Sequence, residues 1–239
     1  MTRGFFQIFP KKSIIGMIHL AGKDMADRVK IALEEIAIFE GEGIHGVIVE
    51  DYHGDEEDIE AALQVINERG TSLVVGINVL TNPYHGFVLA GKYNAKFIQF
   101  DTVHSPPIVP EWYDRGRERY QNVAVFGGVR FKYQRPTRKS LEEDVAEGIS
   151  RCESIVTTGE GTGIETPTEK LREFRKVMER FPLIGLVVGA GVNEQNVREQ
   201  LEICDAAIVG SYFKGGSTRA RTNKENVRRL KNIVKSMSY

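Results

Sequence analysis

Short apolar runs alternate with amphipathic segments along this chain. The apolar runs are Ser13–Leu20 (SIIGMIHL), Gly46–Asp51 (GVIVED), Ser72–Leu80 (SLVVGINVL), Phe97–Val103 (FIQFDTV), Val123–Lys132 (VAVFGGVRFK), Ser154–Gly159 (SIVTTG), Leu183–Val188 and Ala206–Val209. Continuous apolar stretches of this length, bounded by glycine and polar residues, predict strands. Between them the apolar positions recur at helical spacing. In Met25–Glu42 they are Val29, Leu33, Ile36, Ala37 and Phe39, and in Thr168–Arg180 they are Leu171, Phe174 and Val177. Asp55–Glu68 opens with acids that suit a helix N-terminus, Pro83 starts a helix through Tyr93, and Asn223 caps a last helix through Lys235. Glu111–Tyr120, Leu141–Ser150 and a segment opening at Asn193 complete the set.

Strict alternation of strand and helix argues for a parallel sheet with helical crossovers. Eight such units in 239 residues argue for closure. The expected fold is α/β, a (β/α)8 TIM barrel, in a single domain spanning 1–239. Met1–Lys12 forms an N-terminal arm whose Phe5, Phe6 and Phe9 pack under the bottom of the barrel. Gly127-Gly128 predicts a bulge in the fifth strand.

The stretch Leu183–Lys214 organises the functional reading. It runs strand, Gly189-Ala190-Gly191, helix, strand, Gly210-Ser211. Glycine corners at the carboxyl ends of neighbouring strands let backbone N–H groups approach a ligand, and in barrels the loops after strands seven and eight commonly hold phosphate. Gly189, Gly191, Gly210, Ser211 and the adjacent Lys214 are therefore the expected phosphate-binding residues.

Charge and cysteine content narrow the classes. Lys and Arg number 32 against 33 Asp and Glu, so there is no basic surplus of the kind nucleic-acid binding uses. No apolar run is long enough to span a membrane, and the opening residues MTRGFFQIFPKK have neither the apolar core nor the cleavage pattern of a secretory signal, so a cytoplasmic protein is expected. Cys152 and Cys204 lack metal spacing and are expected to be buried, reduced and inert.

Chemistry in a barrel gathers at the strand ends. There the sequence places His19, Glu50, Asp51, Asn78, Asp101, His104, Arg130, Lys132, Thr157, Thr158 and Glu160. Glu50 is the first candidate for general acid or base, with Asp101 as its counterpart, because differing environments can separate the roles of two carboxyls. His19 joins the catalytic set. Lys132 is expected to stabilise negative charge, and Arg130, two residues away on the same strand, to share its face. Asn78 and Thr157 are expected to orient substrate. No cofactor motif is present. Magnesium held by Glu50, Asp51 and a phosphate is compatible with the residues.

The sequence resembles the BtpA family, named for a photosystem I biogenesis factor. The residues that carry the resemblance are Ile15-Gly16-Met17-Ile18-His19-Leu20, Glu50, Asn78-Val79-Leu80 with Asn82, Phe97-Ile98, Val156-Thr157 with Gly159 and Thr162-Gly163, Gly189-Ala190-Gly191-Val192, and Ile208-Val209-Gly210-Ser211 with Lys214. The resemblance implies a β/α barrel. This chain departs from the family pattern at Glu50-Asp51, where Glu-Asn is usual, at Lys132-Tyr133, where Lys-His is usual, and at Gly189-Ala190-Gly191, where Gly-Ser-Gly is usual. Its first loop also lacks the proline-rich segment.

Together these readings predict an enzyme acting on a small phosphorylated metabolite, a sugar phosphate or nucleotide-related compound. Isomerase or lyase chemistry by general acid–base transfer fits the residues, and cleavage of a sugar–base bond is also compatible. The alternative, suggested by the family name, is a non-catalytic assembly or stability factor for a membrane complex. Self-association as a homo-oligomer is left open by the sequence.

Overall fold

The computed structural model describes residues 4–237. The elements follow in strict order: α1 (Phe5–Ile8), β1 (Ser13–Ile18), α2 (Met25–Gly41), β2 (Gly46–Glu50), α3 (Glu56–Arg69), β3 (Val74–Asn78), α4 (His85–Tyr93), β4 (Phe97–Phe100), α5 (Pro110–Arg119), β5 (Ala124–Gly128), α6 (Leu141–Ile149), β6 (Ser154–Thr158), α7 (Thr168–Met178), β7 (Gly185–Gly189), α8 (Val197–Ile203), β8 (Ala206–Val209), a 3-10 turn (Ser211–Lys214) and α9 (Lys224–Lys235). The strands close into a parallel barrel in sequence order, with β8 paired to β1 through Ser13 and Ala206.

Helix starts obey local chemistry. The Asp55 side chain accepts from Asp58 N–H while the Asp58 carboxylate accepts from Asp55 N–H, a reciprocal cap at the start of α3. Asn223 caps α9 by accepting from the N–H groups of Glu225 and Asn226.

Two apolar layers result. Alternate strand residues such as Ile14, Val47, Ile77 and Ile155 face the helices, and the intervening ones fill the barrel. The floor is aromatic: Phe97 and Phe126 stack with centroids 4.2 Å apart, and Phe5 and Phe9 close the bottom against them. Phe5 and Phe9 of the expected arm therefore act as a plug, while Phe6 stays partly exposed. Gly76 makes room for this floor, since a Cβ there would lie 2.2 Å from Phe97. Both cysteines are free and buried, and burial pushes their thiols up.

The fifth strand differs from expectation. It ends at Gly128, and its register with β6 runs without a slip through Phe126–Ser154, Gly127–Ile155 and Gly128–Val156, so there is no bulge. The glycine at 128 instead admits the Asp101 carbonyl, which would lie 2.1 Å from a Cβ. Beyond it Arg130 adopts a positive φ of 50°, and the chain leaves the sheet.

Candidate functional site

Register brings the acids together. Glu50 and Asn78 are cross-strand partners at the ends of β2 and β3, so their side chains share the inner face. Asn78 Nδ2 donates to Glu50 Oε1 at 2.8 Å and to Asp101 Oδ1 at 3.2 Å. Gln99 Nε2 donates to the same Asp101 oxygen at 3.0 Å. Glu50 is buried, and burial together with the Asp101 charge pushes its carboxyl up to about 8, against the opposing pull of Lys132 and the Asn78 hydrogen bond. Near neutral pH Glu50 is therefore mostly protonated and able to give a proton. Asp51 faces elsewhere: its carboxylate accepts from Leu80 N–H at 2.8 Å and from Thr81 Oγ1. Among the described residues no group of three or more His, Cys, Asp or Glu converges as metal ligands.

His19 continues β1 into the same mouth. Burial, reinforced by the charges of Lys214, His53 and Lys132, holds its imidazole well below the usual range, so it is neutral. Its Nδ1 is buried without a hydrogen-bond partner. Tyr52 packs its ring edge on His19. The Tyr52 hydroxyl donates to Thr162 Oγ1 at 3.3 Å, and Tyr133 accepts from Thr162 N–H at 2.9 Å. These contacts clasp the loops after β2, β5 and β6 over the barrel. Beneath them lies a cavity of about 40 Å³ lined by His19, Glu50, Tyr52, Lys132, Gly191 and Ser211, among others.

The glycine corners of β7 and β8 thus meet in one cavity. Ala190 and Gly191 have φ of 70° and 68°, and Gly163 of the β6 loop abuts Ser211. The need for glycine at 191 has a local cause: a Cβ would lie 2.3 Å from the backbone of Glu165. At 210 it would lie 2.7 Å from the His19 ring. Gly189 ends β7 with its carbonyl accepting from Thr166 Oγ1 at 3.0 Å.

Three expected residues are not brought to this mouth. Arg130 turns outward, because the strand has already ended, and pairs with Asp144 at 2.9 Å. Lys132, inward, does not share its face. Lys214 is buried in an ion pair with Glu35 of α2, whose Oε1 also accepts from Thr222 at 2.9 Å. Thr157 alternates with the inward Val156 and so faces the helices. It is Thr158 that faces inward, with its Oγ1 accepting from Lys132 N–H at 2.6 Å. Of the remaining strand-end candidates, Glu160 is exposed, and His104 lies in a separate cleft. Gln99, Tyr52 and the Tyr133 hydroxyl are not among the expected site residues, whereas Thr162 lies in the loop after β6 that the resemblance includes. Gln99 had a signal, two residues before Asp101 on one strand and hence on the same face.

A closed parallel barrel with ionisable groups gathered at the carboxyl ends of its strands defines this as a TIM-barrel protein. Within that class the chain belongs to the BtpA family, whose model matches residues 10–237. It is similar to an uncharacterized protein of Archaeoglobus fulgidus, 27% identical, the match covering 94% of this chain and 99% of that one. An uncharacterized protein of Pyrococcus abyssi is 25% identical, covering 95% and 97%. Among solved structures, a Mycobacterium tuberculosis tryptophan synthase chain superposes with a TM-score of 0.67 at 16% identity, covering 94% of this chain and 93% of that one. Thiamine phosphate pyrophosphorylase from Pyrococcus furiosus gives 0.61 at 16% identity, covering 94% and 95%. Phosphoribosyl anthranilate isomerase gives 0.59 at 14%, covering 95% and 100%. Likeness at such identities establishes the barrel. No helix among the described residues is long and apolar enough to cross a membrane.

Proposed function

We propose that the chain is an enzyme that acts on a small phosphorylated metabolite by general acid–base chemistry of the isomerase or lyase type. One observation carries the reading: Glu50, kept mostly protonated near neutral pH, shares the Asn78 amide with Asp101 at the barrel mouth. Two carboxyls in unlike settings divide acid and base work. Glu50 would deliver a proton to an oxygen of the substrate, Lys132 would offset the negative charge that develops, and Asp101 would be the accepting partner, oriented by Asn78 and Gln99. The consecutive positive φ values at Ala190 and Gly191 favour a backbone nest for the phosphate group. Several solved barrels of similar shape bear names with phosphorylated compounds, thiamine phosphate pyrophosphorylase among them. A mouth this rich in ionisable groups weighs for catalysis over a non-catalytic assembly role.

The test is a thermal-shift screen of phosphorylated metabolites against the wild-type protein and Glu50→Gln. A compound that stabilises both, and is converted by the wild type alone, supports the reading. A complete panel without a shift, inorganic phosphate included, overturns it.

A further inference from the structure

The cavity above Glu50 is roofed by a loop with little to hold it. At about 40 Å³ it is far below the roughly 300–1,000 Å³ of small-molecule pockets. A phosphorylated metabolite therefore has no room to enter while the roof stays where it is. Thr162 and Gly163, from the loop after β6, make that roof.

The neck of the loop is fixed and its tip is not. At the neck Gly159 meets Glu165 so closely that a Cβ would lie 2.4 Å from the Glu165 carbonyl oxygen. On the far limb Thr166 Oγ1 donates to the Gly189 carbonyl at 3.0 Å, and Gln200 Nε2 donates to the Thr166 carbonyl at 3.2 Å. Between these anchors, residues 160–164 bury no side chain: Glu160 and Ile164 are exposed, Thr162 is half-buried, and glycine occupies 161 and 163. Among the described residues, Thr162 alone makes the hydrogen bonds that join this tip to the rest of the barrel. Its Oγ1 accepts from Tyr52 at 3.3 Å and from Tyr133 at 3.4 Å, and its N–H donates to the Tyr133 hydroxyl at 2.9 Å. The two tyrosines come from the loops after β2 and β5, so one threonine joins three loops. A segment without buried apolar side chains, held by a few partly exposed bonds, opens far more readily than the barrel beneath it.

We propose that residues 160–164 are a lid, latched shut by Thr162 on Tyr52 and Tyr133, which swings away from Ser211 to admit the phosphorylated substrate and closes over it to exclude water. Gly163 marks the seat of the closed lid, since a Cβ there would lie 3.5 Å from the Cβ of Ser211. Closure matters to Glu50, whose raised titration comes first from burial. What passes the lid rests on the acid–base reading of the mouth, whereas the motion is measurable without any substrate.

The probe is diethyl pyrocarbonate, which carbethoxylates neutral imidazole, and the reporter is His19, which is neutral and lines the cavity under the lid. Peptide mass spectrometry of the full chain gives the rate at His19. Tyr133→Phe, an exposed change that removes the acceptor of the Thr162 N–H, should raise that rate about threefold to tenfold. Alkylation of the buried Cys152 by iodoacetamide should stay as slow as in the wild type. For the opposite effect, Gly163→Cys with Ser211→Cys sets two Cβ atoms at the roughly 3.5–4.5 Å that a disulfide spans. Oxidation of that variant should nearly abolish the reaction at His19, and reduction should restore it. A rate indifferent to oxidation overturns the lid, and so does a rate unchanged in Tyr133→Phe. A rise in Tyr133→Phe that Cys152 shares also overturns it, because the whole barrel would then be opening. If the disulfide gates His19 while no metabolite shifts the melting of the wild type, the substrate reading falls and the lid stands. If a metabolite shifts the wild type while His19 is not gated, the lid falls and the substrate reading stands.

Discussion

Glu50 and Asp101 are joined through a single amide nitrogen. Asn78 Nδ2 sits 2.8 Å from Glu50 Oε1 and 3.2 Å from Asp101 Oδ1, so the two acids are positioned by one side chain on the strand between them. The amide satisfies both acceptors and also draws the Glu50 carboxyl down, against burial. Replacement by leucine removes both bonds and leaves the buried Glu50 Oε1 without its donor, while Asp101 Oδ1 keeps Gln99. Asn78→Leu should raise the Glu50 titration above about 8 and cost about 1–3 kcal/mol of stability. Carboxyl ¹³C NMR and denaturant unfolding check the two effects, and a Glu50 titration that stays in place would show that Asn78 does not set it.

The same carboxyl makes a signed prediction about stability. In the unfolded chain Glu50 ionises near its ordinary value, while in the fold it does so near 8. Between those values the folded state binds the proton more tightly, so its contribution to stability is fully present below pH 4.5 and is lost as pH rises through 8. The loss is up to about 5 kcal/mol for this site alone. Glu50→Gln cannot titrate, so the variant should gain on the wild type from pH 5 to about pH 8 and level off above it in unfolding experiments. A constant gap across that range would contradict the raised value.

Lys214 belongs to stability rather than to the ligand. Burial disfavours its charge and Glu35 supports it, the pair being closed by Thr222. Lys214→Met leaves the buried Glu35 without its cation and should cost about 3–5 kcal/mol. The double change Lys214→Met with Glu35→Leu should recover much of that loss. If the single variant is as stable as the wild type, the pair is not sustaining the junction of α2 with the β8 loop.

The barrel itself was legible because its signal is local: apolar runs recur, and β8 runs Ala206–Val209 as its pattern indicates. Glu50, Asn78 and Asp101 were legible because each follows an apolar run at a strand end. Thr157 was misplaced by one residue, which in a strand inverts the face. A parallel strand apolar on both sides gives no alternation to show which of Thr157 and Thr158 points inward. Arg130 and Lys132 share a face only on the premise that β5 continues, whereas it ends at Gly128 and Arg130 turns the chain with a φ of 50°. The Lys214–Glu35 contact spans 179 positions and the His104–Glu147 contact 43, with nothing in either local pattern to announce them.

The aromatic floor can be tested apart from the mouth. Gly76→Ala puts a methyl group 2.2 Å from the Phe97 ring, which is stacked on Phe126 and cannot withdraw without shifting Phe9. Overpacking of this kind should cost about 1–3 kcal/mol in unfolding experiments. Ligand affinity at the opposite end should be unaffected. A neutral effect on stability would mean that the floor is loose enough to absorb a methyl group.

Catalysis by Glu50 predicts a particular pH profile. A general acid must be protonated in the free enzyme, so kcat/KM should fall above about pH 8, where Glu50 ionises. Glu50→Gln should lower turnover by about 10²–10⁴ while the metabolite's effect on melting temperature persists. Asn78→Leu provides the internal control, because it acts only through Glu50 and Asp101. In that variant the alkaline limb should move to higher pH along with the carboxyl titration. An alkaline limb that stays put in Asn78→Leu while the Glu50 resonance moves would assign the proton donor to another group, with Lys132 the first to examine by Lys132→Met.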